Sequence, residues 1–117
     1  MITMFGIKNC DTIKRARAWL DGHRIEYRFH DYKKEGVDQR SIEAWCRAAG
    51  WEKVCNRAGT TFKKLPESQR EGLTAAKAIT LMTDSPSMIK RPVLDIDGAI
   101  VVGFSPDEYQ RVLGARR

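Results

Sequence analysis

The chain has 117 residues, of which 42% are hydrophobic and 31% are charged. This length and composition predict one folded, water-soluble domain and leave no room for a second independent core. No apolar run approaches the roughly 18 residues that a membrane span needs. The first residues lack a charged leader followed by an apolar stretch, so we expect a cytoplasmic protein with no membrane partner.

The charge balance is basic, with 21 Lys and Arg against 15 Asp and Glu, a formal net charge of +6. Such a balance favours anionic partners, and the alternative is a solvated surface without a specific partner. The basic residues are scattered and often stand beside acids, and aromatic residues do not alternate with them as in a single-strand binder. We therefore expect no specific nucleic-acid partner, while an anionic small substrate stays compatible.

The first third of the chain predicts a β-α-β unit. Residues 2–5 form a short apolar run typical of a buried strand, and a polar turn follows. Apolar residues then recur at helical spacing, which predicts a helix that begins at Cys10 or Asp11 and ends at Gly22. Residues 25–30 alternate between apolar and polar and predict a second strand, parallel to the first because a helix connects them.

The middle of the chain, about residues 38–90, is helical or irregular in pattern. The first expected helix is capped by Asp38 or Ser41 and ends at Gly50, and a short helical piece follows over 51–57. We then expect a loop at 59–61 and a helical turn at 66–70. A last helix in this region is capped by Thr74 and ends at residues 84–86.

The end of the chain predicts a β-hairpin and a helix. Residues 92–96 and 99–102 are strands joined by Asp97-Gly98, a strong hairpin signal, and Ser105 caps the last helix. The whole pattern is β-α-β, an all-helical insert, then β-β-α. We expect an α/β, thioredoxin-like domain over residues 1–117 with a small mixed sheet.

Two of the three cysteines are expected to be core residues. An odd number of cysteines without a secretory signal argues against a disulfide framework. Cys46 lies on the apolar side of a predicted helix, where a thiol behaves as a small hydrophobe, and we favour the same interpretation for Cys55. The cysteines and histidines have no metal-ligand spacing, so no metal site is predicted.

Cys10 differs because it follows a strand and opens a helix. The unpaired N–H groups at a helix start favour a thiolate, which lowers the pKa of a cysteine. The alternative is that Cys10 merely packs under the helix. Because Ile13 stands where a Cys-x-x-Cys motif would have its second thiol, another thiol must resolve Cys10. The sequence leaves open whether Cys46 or Cys55 can do this.

Five stretches together resemble the ArsC/Spx family of arsenate reductases and their relatives, and are closest to its YffB-like branch. In chain order they are FGIKNCDTIK (5–14), YRFHDY (27–32), GTTFKKL (59–65), IKRP (89–92) and GFSP (103–106). The resemblance implies a thioredoxin-like fold with a helical insert. It also implies that Cys10 is the nucleophile, that Arg91 binds an anion, and that Pro92 follows a cis peptide bond beside the active site.

The arginines of arsenate reductases are only partly matched. By resemblance, one of the three that surround the oxyanion falls on Phe104, which cannot hold a charged oxygen. Another falls within residues 56–58: an ungapped match places it on Asn56, related sequences carry it at Ala58, and Arg57 could substitute. Because charge-assisted hydrogen bonds are strong, we do not expect efficient arsenate reduction.

The resemblance and the residues together lead to a glutathione-dependent thiol oxidoreductase. Cys10 would act through a mixed disulfide, and Asn9, Arg57, Arg91 and Pro92 would bind the substrate. Glutathione or another small thiol is the expected co-substrate, with no tightly bound cofactor. A glutaredoxin is a possible partner, and we expect a monomer. The alternatives are an arsenate reductase proper, an Spx-like regulator that binds RNA polymerase, and a relative without activity.

Overall fold

The computed structural model describes residues 1–114 and divides the chain into two compact units. Of these residues, one unit contains Met1–Glu35 and 91–114, and the other is Gly36–Lys90. The second unit spans nearly the residues expected for the helical insert. That the two units form one domain stays a prediction.

The first unit contains a four-stranded sheet in the order β2-β1-β3-β4. The β1–β2 pair is parallel, and the β1–β3 and β3–β4 pairs are antiparallel, so the expected mixed sheet is confirmed. In chain order the elements of this unit are β1 (Ile2–Gly6), α1 (Asp11–Gly22), β2 (Arg28–Asp31), α2 (Tyr32–Glu35), β3 (Val93–Ile96), β4 (Ala99–Val102) and a last helix, Pro106–Leu113.

The second strand is shorter than its alternating pattern predicts. β2 begins at Arg28 and not at Ile25, because its pairing with β1 starts at Thr3 opposite Arg28. The Ile25 amide instead donates to the carbonyl of Leu20 at the end of α1, at 3.0 Å. A backbone bonded back to the helix cannot also join the sheet ladder.

The core of the first unit lies where α1 and the last helix pack on the sheet. Its buried members are Met4, Ile13, Ala16, Leu20, Leu94, Ile96, Val101, Tyr109 and Leu113. Burying each of the larger side chains contributes about 1.5–3 kcal/mol, which fixes α1 against β1 and β3. The residue at the start of α1 is thereby held at a defined place relative to the sheet.

The second unit is helical in the described residues. Its elements are α3 (Gln39–Ala49), α4 (Trp51–Val54), α5 (Thr60–Lys63), α6 (Glu67–Arg70), α7 (Ala75–Asp84) and a 3-10 turn at Pro86–Met88, so the last helix of the chain is α8. Asp38, not Ser41, caps α3, since its carboxylate accepts from the Ser41 amide at 2.8 Å. Thr74 caps α7 as predicted.

Two sequence predictions in this unit are wrong. The helical piece expected over 51–57 ends at Val54, because Cys55 pairs with Ile89 in an isolated antiparallel bridge. The loop expected at 59–61 includes the first residues of α5. Phe62 is buried there, and the Thr61 hydroxyl lies 3.2 Å from that of Ser87, so tertiary packing overrides the low helix propensity of two threonines.

No helix between residues 1 and 114 is long and apolar enough to cross a membrane.

Candidate active site

Strand topology brings Cys10, Tyr32 and Arg91 to one end of the sheet. β1 and β2 are parallel, with Gly6 opposite Asp31, so the residues that follow both strands lie at the same end. β3 is antiparallel to β1, with Val93 opposite Phe5, so the residues that precede β3 lie there too. Side chains distant in sequence therefore meet beyond this end of the sheet.

Cys10 is the N-cap residue of α1, as the sequence predicts. Its extended backbone (φ −117°, ψ 127°) turns the chain into the helix, and its carbonyl accepts the first helical hydrogen bond from the Lys14 amide at 2.9 Å. The preceding residue, Asn9, has a φ of 63°, in the left-handed region that asparagine tolerates better than most residues. The exposed Asn9 thus sets the entry into the helix, and its predicted role in binding the substrate stays a prediction.

The surroundings of Cys10 favour its thiolate. Partial burial raises the pKa of this thiol, but the N–H groups of Ile13 and Thr12 and the positive charge of Arg91 outweigh burial, so the pKa lies below its usual value. The sulfur makes no well-formed capping hydrogen bond, and the N–H groups act on it as nearby dipoles. The lowered pKa agrees with the prediction made from the position of Cys10 at a helix start.

The Arg91–Pro92 peptide bond is cis, which confirms the expectation from the resemblance. Pro92 is buried, and its carbonyl accepts from the Gly103 amide at 2.8 Å. Gly103 has a φ of 83°, a conformation that a residue with a side chain rarely adopts. This contact joins the segment before β3 to the chain that leaves β4, and so fixes the backbone from which Arg91 extends.

Tyr32, the first residue after β2, is a member of this cluster that the sequence analysis did not single out. It is 2% exposed, and its hydroxyl lies within reach of the charges of Arg91, Cys10 and Asp31. Burial raises the pKa of Tyr32 to about 12, although the Arg91 charge opposes the rise. The available signal was the YRFHDY stretch, which ends at Tyr32 and belongs to the resemblance.

Phe104 packs into the core of the first unit. Its ring meets that of Tyr109 edge-on, with centroids 4.8 Å apart and planes at 85°. An aromatic pair of this geometry contributes about 0.5–1.5 kcal/mol beyond area burial. The position where the resemblance places an arginine of arsenate reductases is therefore an apolar packing position in this chain.

Arg57 belongs to the second unit, where its guanidinium lies 5.3 Å from the centroid of the Trp51 ring. It lines a recess of about 460 Å³ together with two lysines, Lys53 and Lys90. Asn56 and Ala58 line the same recess, and the backbone N–H of Asn56 donates to the carbonyl of Met88 at 2.7 Å. The recess thus carries three basic side chains and one acid, Glu52, and the predicted role of Arg57 toward the substrate stays a prediction.

Cys46 and Cys55 have the opposite character to Cys10. Burial raises the pKa of both thiols; the neighbouring Cys55 adds to the rise at Cys46, and Arg57 opposes it at Cys55. Cys55 is buried, as expected, whereas Cys46 is only half-buried in α3, so the expectation that Cys46 is a core residue is wrong. Both thiols are thus held in the neutral form at neutral pH, in which they are poor nucleophiles.

Within residues 1–114, no three His, Cys, Asp or Glu side chains cluster so as to hold a metal ion. His23 stacks on Trp19, with ring centroids 3.8 Å apart, and its Nδ1 lies 2.8 Å from the Trp19 carbonyl oxygen.

These features define an α/β protein of thioredoxin-like fold with a cysteine at the start of its first helix. Comparison with protein families gives the particular group, because the model of the ArsC family matches residues 5–112. The chain belongs to the ArsC family.

Three relatives illustrate the similarity. The solved structure of a YffB protein is 54% identical, has a TM-score of 0.94, and covers 97% of this chain and 99% of its own. An arsenate reductase (ArsC) related protein from Brucella melitensis is also 54% identical, with a TM-score of 0.77 and coverage of 94% and 92%. The global transcriptional regulator Spx of Listeria innocua is 26% identical, over 99% of this chain and 89% of its own. The protein is thus similar both to arsenate reductases and to Spx.

Proposed function

We propose that this protein is a glutathione-dependent thiol oxidoreductase that uses Cys10 as its single nucleophile. The observation that carries the proposal is the position of Cys10 at the start of α1, where N–H groups and Arg91 lower the pKa of the thiol. A thiolate is the form of cysteine that attacks disulfides, so this environment supports thiol–disulfide exchange at Cys10.

The proposed reaction has two exchange steps. The Cys10 thiolate attacks one sulfur of a disulfide that contains glutathione; a bond forms between Cys10 and the glutathione sulfur, and the other sulfur leaves as a thiolate that takes a proton from water. A second thiol, ionised by loss of its proton, then attacks the glutathione sulfur and releases the Cys10 thiolate. The net result is an exchange: one sulfur of the original disulfide is released as a thiol, the incoming thiol becomes joined to the glutathione sulfur in a new disulfide, and Cys10 is regenerated as the thiolate.

The residues around Cys10 suit a negatively charged peptide such as glutathione. In this proposal Arg91 faces a carboxylate or the attacked sulfur, and Arg57 contributes a second positive charge. The backbone beside Pro92 pairs with the peptide, and Asn9 contacts it near Cys10. Guanidinium groups bind carboxylates through paired, charge-assisted hydrogen bonds, which supports the choice of the two arginines.

The cellular setting follows from the same chemistry. We place the reaction in the reducing cytoplasm, where glutathione is available and a single-cysteine mechanism needs a second thiol from outside. The protein would act as a monomer without a tightly bound cofactor, and a glutaredoxin is a possible second thiol donor. Neither nucleic acid nor membrane has a role in this proposal.

The two alternative functions lack support from particular residues. Ile13 occupies the place of the second thiol of a Cys-x-x-Cys redox sensor, so a disulfide switch of the kind expected for an Spx-like regulator cannot form there. Phe104 packs against Tyr109 where the resemblance places an arginine of arsenate reductases. Ile13 therefore argues against an Spx-like regulator, and Phe104 argues against an arsenate reductase, which leaves a thiol substrate as the favoured choice.

The experiment that tests the proposal is adduct formation with oxidised glutathione, followed by intact mass measurement and peptide mapping. We would use the wild type, Cys10→Ser, and a Cys46→Ser/Cys55→Ala variant in which Cys10 is the only cysteine. The proposal predicts one glutathione on Cys10 in the wild type and in the double variant, and a second thiol should release it. If Cys10→Ser gains an equal adduct, or if the wild type gains none, the proposal is wrong.

A further inference from the structure

Tyr32 and Arg91 lie side by side at the end of the sheet that carries Cys10. Tyr32 is 2% exposed and follows β2, its buried hydroxyl has no hydrogen-bond partner within the described residues, and Arg91 lies close enough to lower the pKa of this hydroxyl against the effect of burial. The neighbouring Asp31 carboxylate accepts from the Lys33 amide at 3.0 Å through one of its two oxygens. Arg91 is the cation whose charge acts on the Tyr32 hydroxyl.

A second buried tyrosine gives a reference for this arrangement. Tyr109 is fully buried in the core of the first unit, and its hydroxyl likewise has no hydrogen-bond partner within the described residues. Burying a hydroxyl without a partner costs about 1–3 kcal/mol. Both tyrosines carry this cost, but only the hydroxyl of Tyr32 lies near Cys10 and Arg91.

The chemistry of the two side chains is complementary. A guanidinium has only N–H donors, whereas a phenolic oxygen can accept a hydrogen bond while it keeps its own proton. Because Tyr32 is buried, water does not compete strongly for its oxygen, and a small movement of Arg91 would turn the contact into a charge-assisted hydrogen bond. The same guanidinium lies beside the Cys10 thiol.

We propose that Tyr32 is a positioning residue, whose hydroxyl oxygen holds the Arg91 guanidinium against the sulfur of Cys10 when that sulfur is ionised. The inference rests on the proposed function, in which the Cys10 thiolate is the nucleophile. Tyr32 does not itself contact the substrate in this role; it restricts where the positive charge of Arg91 lies. In this role the ring of Tyr32 packs in the protein interior, and its hydroxyl oxygen accepts a hydrogen bond from Arg91.

The test is the rate of Cys10 alkylation by iodoacetamide as a function of pH, followed by mass spectrometry of the Cys10 peptide. It uses the wild type, Tyr32→Phe, Arg91→Met and the Tyr32→Phe/Arg91→Met double variant. Tyr109→Phe is the matched control, because it also removes a buried hydroxyl without a partner and keeps the ring. Thermal unfolding of each variant reports whether the core is preserved.

We expect Tyr32→Phe to slow alkylation of Cys10 about three- to tenfold at neutral pH, because part of the stabilisation from a hydrogen bond to a charged group is lost. At alkaline pH the rate of Tyr32→Phe should approach the wild-type rate, since the thiol is then ionised in both proteins. Tyr109→Phe should match the wild type throughout. In the Arg91→Met background, Tyr32→Phe should have no further effect, because the two residues act through one contact.

Three outcomes would overturn the inference. If Tyr32→Phe follows the wild-type pH profile while the wild-type thiol is acidic, Tyr32 is only a core residue and the proposed function stands. If Tyr32→Phe slows alkylation equally in the Arg91→Met background, the hydroxyl does not act through Arg91. If the wild-type Cys10 profile is that of an ordinary thiol, the proposed function itself fails, and the inference fails with it.

Discussion

The Arg91 guanidinium lies beside the Cys10 thiol, although the whole unit Gly36–Lys90 separates the two residues in sequence. The contact exists because β3 runs antiparallel to β1 and therefore begins where β1 ends. A positive charge at this place opposes the effect of burial on the thiol. Arg91 is thus part of the same electrostatic environment as the N–H groups at the start of α1.

Replacing Arg91 by Met should make Cys10 less acidic, because the substitution removes the charge and retains much of the aliphatic side chain. We expect alkylation of Cys10 to slow several-fold at neutral pH and to recover at alkaline pH. Arg111→Met is a suitable control, since that side chain is 73% exposed and pairs with Glu108 within α8. Equal rates for Arg91→Met and the wild type would show that the charge of Arg91 does not act on Cys10.

The ionisation of Cys10 should also contribute to stability in a pH-dependent way. A thiol whose pKa is lower in the folded than in the unfolded chain stabilises the fold above its unfolded pKa, and this contribution is lost as pH falls through the folded value. The lowered pKa of Cys10 therefore predicts that wild type gains stability relative to Cys10→Ser as pH rises through that interval. Urea unfolding at a series of pH values measures the difference, and a difference that is constant or falls with pH would contradict the prediction.

Arsenate should be a poor substrate. Phe104 offers the oxyanion no charge, and its ring is fixed against Tyr109. We expect arsenite production, assayed with glutathione and glutaredoxin present, to stay near the level of Cys10→Ser. Rapid turnover by the wild type would show that the remaining cations bind the oxyanion well enough, and would favour arsenate reductase as the function.

The cap of α3 can be tested by stability alone. The Asp38 carboxylate accepts from the Ser41 amide at 2.8 Å, so Asp38→Ala should cost about 1 kcal/mol of unfolding free energy, within a range of about 0.5–2. Ser41→Ala is the control, because its side chain does not cap the helix in this structure. Denaturant unfolding distinguishes the two, and a larger loss for Ser41→Ala would show that the cap is assigned to the wrong residue.

Local signals in the sequence predicted most of the elements near Cys10. The helix that starts after Cys10 and the Asp97-Gly98 hairpin depend on neighbouring residues, and both are present. The sequence alone does not predict the first residue of a strand such as β2, because that residue depends on where hydrogen bonding to β1 begins. The short helix α5 likewise depends on tertiary packing, since its formation accompanies the burial of Phe62.

The residues of the candidate site also differ in how far the sequence predicts them. The position of Cys10 at a helix start could be inferred from residues beside it, whereas Tyr32 joins the site only through the register of β1 and β2. A buried tyrosine after a strand has the same sequence pattern whether it packs a core or lies beside a thiol. Coordinates of the strands are needed to tell the two apart.

The most direct test of the central claim compares two thiols of one protein molecule. The rate of alkylation of Cys10 and of Cys46 would be measured by peptide mapping over a range from about pH 5 to about pH 10, which spans the values that cysteine thiols adopt. The structure predicts that the rate at Cys10 reaches half its maximum at a lower pH than the rate at Cys46, whose pKa burial raises. Coinciding midpoints, or a lower midpoint for Cys46, would contradict the assignment of Cys10 as the nucleophile.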